Sequence, residues 1–162
     1  VPDDQIRIRK AQPGDLSWME AVARRLFAAP RVASRGRLHY VRDLPGLIAE
    51  LDGARAGLLL YHEGEHEVEI VVLVSEIKHR GIARGLVETL RRQAMSAGFR
   101  RLWLVTTNNN LEAIAFYRAT GWQQVAVHRG AVKRSRLLKP EIPEIGPSRL
   151  PIEDEIEFAI DL

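Results

Sequence analysis

Apolar and basic residues alternate from Ile6 to Arg9, the two-residue period of a short strand. Pro13-Gly14-Asp15 reads as a turn, with Asp15 placed to cap a helix. Leu16, Met19, Val22, Ala23, Leu26 and Phe27 then recur at helical spacing, which predicts an amphipathic helix ending before Pro30. Residues 31–46 are mixed, leave room for a second short helix, and close on Pro45-Gly46. Three strands are predicted next: Leu47–Leu51, Gly57–His62 and Val68–Val74. They are joined by Asp52-Gly53 and by a turn near Glu63-Gly64, as an antiparallel meander. A helix begins near Ile82, with Ala83, Leu86, Leu90, Ala94 and Ala97 as its buried stripe and Gly98 past its end. Leu102–Val105 is a strand. Asn110 caps a short helix whose inner face carries Ala113, Phe116 and Tyr117, and Trp122–His128 is another strand. Residues 130–154 hold Pro140, Pro143, Pro147 and Pro151 and read as an extended, irregular insertion. Alternation returns at Ile156, Phe158, Ile160 and Leu162 as a final strand. Hairpins followed by alternating strands and helices predict one α/β (α+β) domain over residues 1–162, built on a mixed sheet.

Composition narrows the chemistry. The chain has 162 residues, is 46% hydrophobic and has no cysteine, so it can bury a core but cannot use disulfides, thiolate catalysis or cysteine-held zinc. No apolar run approaches the roughly 20 residues of a membrane helix, and a cytoplasmic location is expected. The net charge of +3 is unevenly spread: residues 140–162 carry seven acids against Arg149, which leaves a basic body. Such a body suits phosphate ligands, but no aromatic-studded basic stripe suggests nucleic acid.

One motif lies between an apolar strand and an amphipathic helix: Lys78-His79-Arg80-Gly81-Ile82-Ala83-Arg84-Gly85. A helix start offers unpaired N–H groups and partial positive charge, both suited to phosphate. Gly81 and Ala83 let the backbone approach a ligand closely, and Lys78, Arg80 and Arg84 add charge. The spacing is neither that of a P-loop nor that of a dinucleotide fingerprint. His62-Glu63-Gly64-Glu65-His66 spells a zinc-protease pattern, but glycine sits at its centre and strands flank it. A polar hairpin tip is expected there, with no metal.

The second motif is Asn110-x-x-Ala113-x-x-Phe116-Tyr117-x-x-x-Gly121-Trp122. Together with Lys78-x-x-Gly81-x-Ala83 it resembles the GNAT superfamily of acetyl-CoA-dependent N-acetyltransferases, over roughly residues 6–128. The resemblance implies a largely antiparallel central sheet flanked by helices, and direct attack of an amine on a bound acetyl thioester. It implies that Leu73 and Val74 pair with the pantetheine arm, that the turn from Lys78 to Gly85 holds the pyrophosphate, and that Asn110 touches the cofactor or caps its helix. Tyr117 matches the family's general acid. Glu69 lies where several members place a general base; Glu67 shares its strand face, and either could act directly or through water. Ser34-Arg35-Gly36-Arg37 falls in the loop region bordering the acceptor. Dimers are common in the family.

Two departures accompany the resemblance. Lys78 stands where Gln or Arg is usual, which keeps the charge but loses planar multidentate donation. The proline-rich, acidic insertion before the last strand is longer than the family's connection, and is expected to shape acceptor choice in favour of a cationic amine. A non-catalytic acyl-CoA-binding module, or an acetyltransferase-like toxin acting on aminoacyl-tRNA, would use the same cofactor turn.

Overall fold

The computed structural model describes residues 5–162. Nine strands and four α-helices follow the chain: β1 (Ile6–Lys10), α1 (Leu16–Phe27), β2 (Arg31–Ser34), β3 (Arg37–Tyr40), β4 (Gly46–Leu51), β5 (Ala54–Glu63), β6 (Glu67–Ser75), α2 (Ile82–Ser96), β7 (Arg101–Thr107), α3 (Leu111–Ala119), β8 (Gln123–His128), α4 (Ala131–Leu138) and β9 (Glu155–Asp161). Seven strands form one sheet in the order β1-β4-β5-β6-β7-β9-β8, and β2 and β3 form a separate hairpin. Every neighbouring pair in the large sheet is antiparallel except β6 with β7. The sheet is therefore mixed, as the order of elements predicts, and largely antiparallel, as the resemblance implies.

Two apolar layers cover its faces. Met19, Val22 and Ala23 of α1 pack on Ile48, Leu58, Leu60, Val72 and Val74. On the opposite face Leu86, Leu90 and Ala94 of α2, with Ile114 and Tyr117 of α3, pack on Leu47, Leu59, Val68, Leu102 and Phe158. Strand β6 serves both layers because its register slips. Leu60 pairs with Val72 while the next residue, Tyr61, pairs with Ile70, so Val71 is an extra residue in β6. Val68 and Ile70 consequently face α2, whereas Val72 and Val74 face α1. Helix α2 lies close on the sheet at Gly57, where an added Cβ would stand 2.4 Å from Ile82 Cγ2.

Local departures from the sequence reading have physical reasons. Residues 31–46 hold no second α-helix; they form the β2–β3 hairpin and a short 3-10 turn. Arg35 (φ 49) and Gly36 (φ 75) both take left-handed conformations, the two-residue turn that matches strand twist. Residues 130–154 are not extended throughout, because Gly130 (φ 69) starts α4 and only the stretch after it is irregular. Asp15 precedes α1 but its side chain does not cap it. The carboxylate instead accepts from Arg9 at 2.8 and 2.9 Å, from Arg55 Nε at 2.9 Å and from the Gln12 backbone N–H at 2.7 Å. The paired guanidinium groups hold its pKa well below the usual carboxylate range. Ala97 follows the last turn of α2 and is exposed, while Ile82 at the helix start is buried in its place.

Candidate active site

The site grows from the one parallel pair in the sheet. β6 and β7 pair only across Glu67 with Arg101, Val68 with Leu102 and Glu69 with Trp103. Beyond that point β6 runs on to Ser75 and β7 to Thr107 with no pairing between them. The two strands part like a fork, and the β7-facing edge of residues 70–75, Leu73 and Val74 among them, is unpaired in the sheet. Backbone N–H and C=O groups along such an edge are free to pair with an extended ligand, as an added strand would.

At the far end of the fork lies the turn into α2. His79 (φ 62) and Gly81 (φ 72) take left-handed backbones, so the chain reverses tightly before the helix. An added Cβ at Gly81 would meet no atom within 4 Å, so its glycine serves backbone conformation and open approach rather than packing. Gly85 N donates to Gly81 O at 2.9 Å, the first helical bond. The N–H groups of Ile82, Ala83 and Arg84 precede it without intrahelical acceptors, at the positive end of a 15-residue helix. Lys78 is engaged elsewhere: its Nζ lies 3.1 Å from a Glu112 carboxylate oxygen, so the ion pair links the turn to the first turn of α3. Asn110 caps α3, its side chain accepting from Ala113 N at 3.3 Å.

Glu69 sits at the root of the fork, two residues before the extra Val71, and is 4% exposed. Ser34 Oγ donates to its Oε1. His39 Nε2 stands 3.6 Å from its Oε2 and has no hydrogen-bond partner among the described residues. Glu67, also on β6, is paired with Arg101 at 3.2 Å. A cleft of about 460 Å³ opens here, bounded by the β2–β3 turn, His62, Glu69 and Trp103. None of its walls comes from residues 130–154. The acids of that segment turn elsewhere, Glu141 to Arg31 and Glu144 to Arg136.

Tyr117 lies in the core on the α2 side of the sheet, 6% exposed, with ring centroids 5.4–5.6 Å from Phe116, Trp122 and Phe158. Burial pushes its phenol well above the ordinary tyrosine range, so it stays protonated. Glu69 and Tyr117 thus lie on opposite faces of the sheet.

Sequence reasoning missed His39, Glu155 and the Arg37–His62 contact. Arg37 Nη1 lies 2.8 Å from His62 Nε2, and Glu155, 3% exposed, accepts the backbone N–H of Arg35 at 3.1 Å. The hairpin turn at Arg35-Gly36 was the available signal, since it places Ser34, Arg37 and His39 on paired strands. His62 and His66 do fall at the β5–β6 hairpin end.

The model of the acetyltransferase (GNAT) family matches residues 15–122. The chain is 36% identical over 134 residues to YdhI, an uncharacterized protein of Bacillus subtilis (strain 168), covering 82% of this chain and 84% of that one. Among solved structures it superposes on a Bacillus subtilis acetyltransferase in complex with CoA, with a TM-score of 0.72, 16% identity, and coverage of 98% of this chain and 99% of the other. It also superposes on the ribosomal-protein-S18-alanine N-acetyltransferase of Escherichia coli, with a TM-score of 0.68, 17% identity, and coverage of 97% and 94%.

Proposed function

The chain belongs to the GNAT acetyltransferase family, and from that premise we propose that it transfers an acetyl group from acetyl-CoA to an amine by direct attack within a ternary complex. The observation that carries the reading is the fork between β6 and β7, with a buried carboxylate at its root and a helix N-terminus at its far end. That donor set fits the cofactor: an unpaired strand edge suits the two amides of a pantetheine arm, and free N–H groups beside basic side chains suit a pyrophosphate.

Acetyl-CoA, when bound, supplies the acetyl thioester. Leu73 and Val74 offer backbone groups along the fork. Gly81, Ile82, Ala83, Arg84 and Gly85 form the phosphate end with His79 and Arg80, and Lys78 joins only by leaving Glu112. Glu69 is the base. Its carboxylate, held by Ser34, takes a proton from the acceptor amine as the nitrogen bonds to the acetyl carbon and the carbon–sulfur bond breaks. Tyr117 would serve the departing sulfur. Burial holds the phenol protonated, so its O–H is available as a donor. Tyr117 would therefore donate to the developing thiolate, giving up its proton as the general acid and regaining one from solvent, while Glu69 passes the amine proton to solvent. Asn110 fixes the start of α3 and hence the position of Tyr117.

The absence of cysteine leaves no reactive thiol of its own beside the thioester. Among the described residues no helix is long and apolar enough to cross a membrane, and the reading includes a cytoplasmic site of action. The test is a thiol-release screen with acetyl-CoA across small amines, amino acids and peptides. Release that depends on an amine and yields the N-acetyl product is expected; tight cofactor binding with no release across all classes would leave a non-catalytic acyl-CoA module instead.

A further inference from the structure

The cleft below the β2–β3 hairpin carries a charge pattern that acetyl transfer itself leaves unused. Two of its acids have donors in hand, Glu69 from Ser34 and Glu67 from Arg101 at 3.2 Å, while Glu65 stands exposed beside His66. Arg35 is likewise tied, its guanidinium 3.5 Å from Glu155. Arg37 differs. Among the described residues it has no carboxylate partner, and its 2.8 Å contact is to a histidine ring nitrogen. A guanidinium has donors only, so His62 Nε2 accepts and the ring keeps its single proton on Nδ1. Burial, then the neighbouring Arg37 and His39, hold the imidazole below its usual pKa, in keeping with a neutral ring. His62 therefore aims the guanidinium without neutralising it, and of the two arginines lining the cleft Arg37 is the one with no carboxylate partner among the described residues.

Register fixes how near this charge is to the base. His62 pairs directly with Glu69 across β5 and β6, a Cα separation of about 5 Å. Only one cross-strand step and one imidazole ring stand between the carboxylate that would take the amine proton and the guanidinium. Trp103 pairs with Glu69 on the other side and lines the same cleft, half-buried, as an apolar wall.

We propose that Arg37, aimed by His62, binds a carboxylate that the acceptor carries a few bonds from its amine, with the acceptor's apolar body against Trp103. The acceptor class is then a small aminocarboxylate of free amino-acid type. This rests on the acetyl-transfer reading and reverses the expectation of a cationic amine, because the acidic segment that suggested it contributes no wall of the cleft.

The test uses the full chain with two readouts. Thiol release is compared for L-phenylalanine, L-phenylalaninamide and phenethylamine, and 3-phenylpropionate, which has no amine, is titrated by calorimetry. Wild type is expected to favour phenylalanine at least 10-fold in kcat/KM over the other two and to bind phenylpropionate. Arg37→Gln should abolish both effects, raising KM with kcat little changed. Arg37→Lys should fall between, and Arg24→Gln, the same charge loss on the exposed face of α1, should match wild type. Equal or better turnover of the amide or phenethylamine, or an unchanged preference in Arg37→Gln, overturns the subsite while leaving acetyl transfer intact. Phenylpropionate binding lost in Arg37→Gln, with no amine acetylated, keeps the subsite and overturns acetyl transfer. Neither binding nor turnover overturns both.

Discussion

At Tyr117 one side chain meets two demands. Its ring fills the core beside Phe158, Phe116 and Trp122, and its hydroxyl is the donor assigned to the sulfur. Tyr117→Phe keeps the ring packing, so turnover should fall about 10-fold or more while acetyl-CoA affinity measured by calorimetry stays nearly constant. Glu69→Gln should lower kcat by about 100-fold or more, as loss of a general base does. Glu67→Gln, whose carboxylate is already paired with Arg101, should change it little, and steady-state kinetics on the two variants separates these roles. Tyr117 and Glu69 could be named as candidates because the family resemblance points to them, one within a spaced motif and the other on a strand. His39 and Glu155 could not. Each owes its burial and its partner to a residue far along the chain, Glu69 and Arg35 respectively, and linear spacing carries no trace of such pairings.

Among the elements, the fork and α2 act as one device. The helix must lie tight on the sheet for its N-terminus to face the gap, and Gly57 under Ile82 and Leu86 permits that approach. Leu86 is fully buried there, so Leu86→Ala should cost about 3 kcal/mol of stability in a denaturant titration. The Lys78–Glu112 pair spans the two elements that flank the mouth. A phosphate at the turn competes with Glu112 for Lys78, so Glu112→Gln should bind acetyl-CoA several-fold more tightly, with the gain shrinking at high salt. Weaker binding by that variant would make Glu112 part of the cofactor site. The periods of α1 and α2 were readable because each buries one continuous face, and β4, β5 and β6 stood out as apolar runs because they are buried on both. The β2–β3 hairpin was obscured because its strands have only four residues each, with a buried Ser34 and His39 where an apolar signal would be expected. Helix α4 was hidden by the prolines that follow it, although none lies within its eight residues.

Across the whole molecule, the segment after α4 is a strap rather than a wall of the acceptor cleft. Arg136 donates to the carbonyls of Ile142, Pro143 and Ile152, and Asn108 and Asn109 hold it against the end of β7. Lys139 fastens it to α1, 3% exposed, with Nζ donating to the Phe27 carbonyl. Burial pushes this amine down to about 8. Between that value and the ordinary lysine range near 10.5 the unfolded chain binds a proton that the folded chain does not, so this group makes stability rise with pH from about 8 upward. Thermal melts from pH 8 to 10 should show wild type gaining more than Lys139→Met across that window; parallel curves would deny the coupling. The mixed sheet was legible as a sequence of elements, but the short parallel contact between β6 and β7 was not, because alternation records burial and not how far two strands stay paired.

The central claim is that the parting strands and the turn at Gly81 hold acetyl-CoA. Calorimetric titration of the wild-type chain with acetyl-CoA, beside Gly81→Val, tests it most directly. An added Cβ at Gly81 would meet no atom within 4 Å but is strained at φ 72, so the substitution disturbs the turn's backbone without a packing clash. One-site binding in wild type, weakened at least 10-fold in a folded Gly81→Val protein, is the expected result. No heat from millimolar acetyl-CoA with folded wild type, or equal binding by the two proteins, would contradict the account.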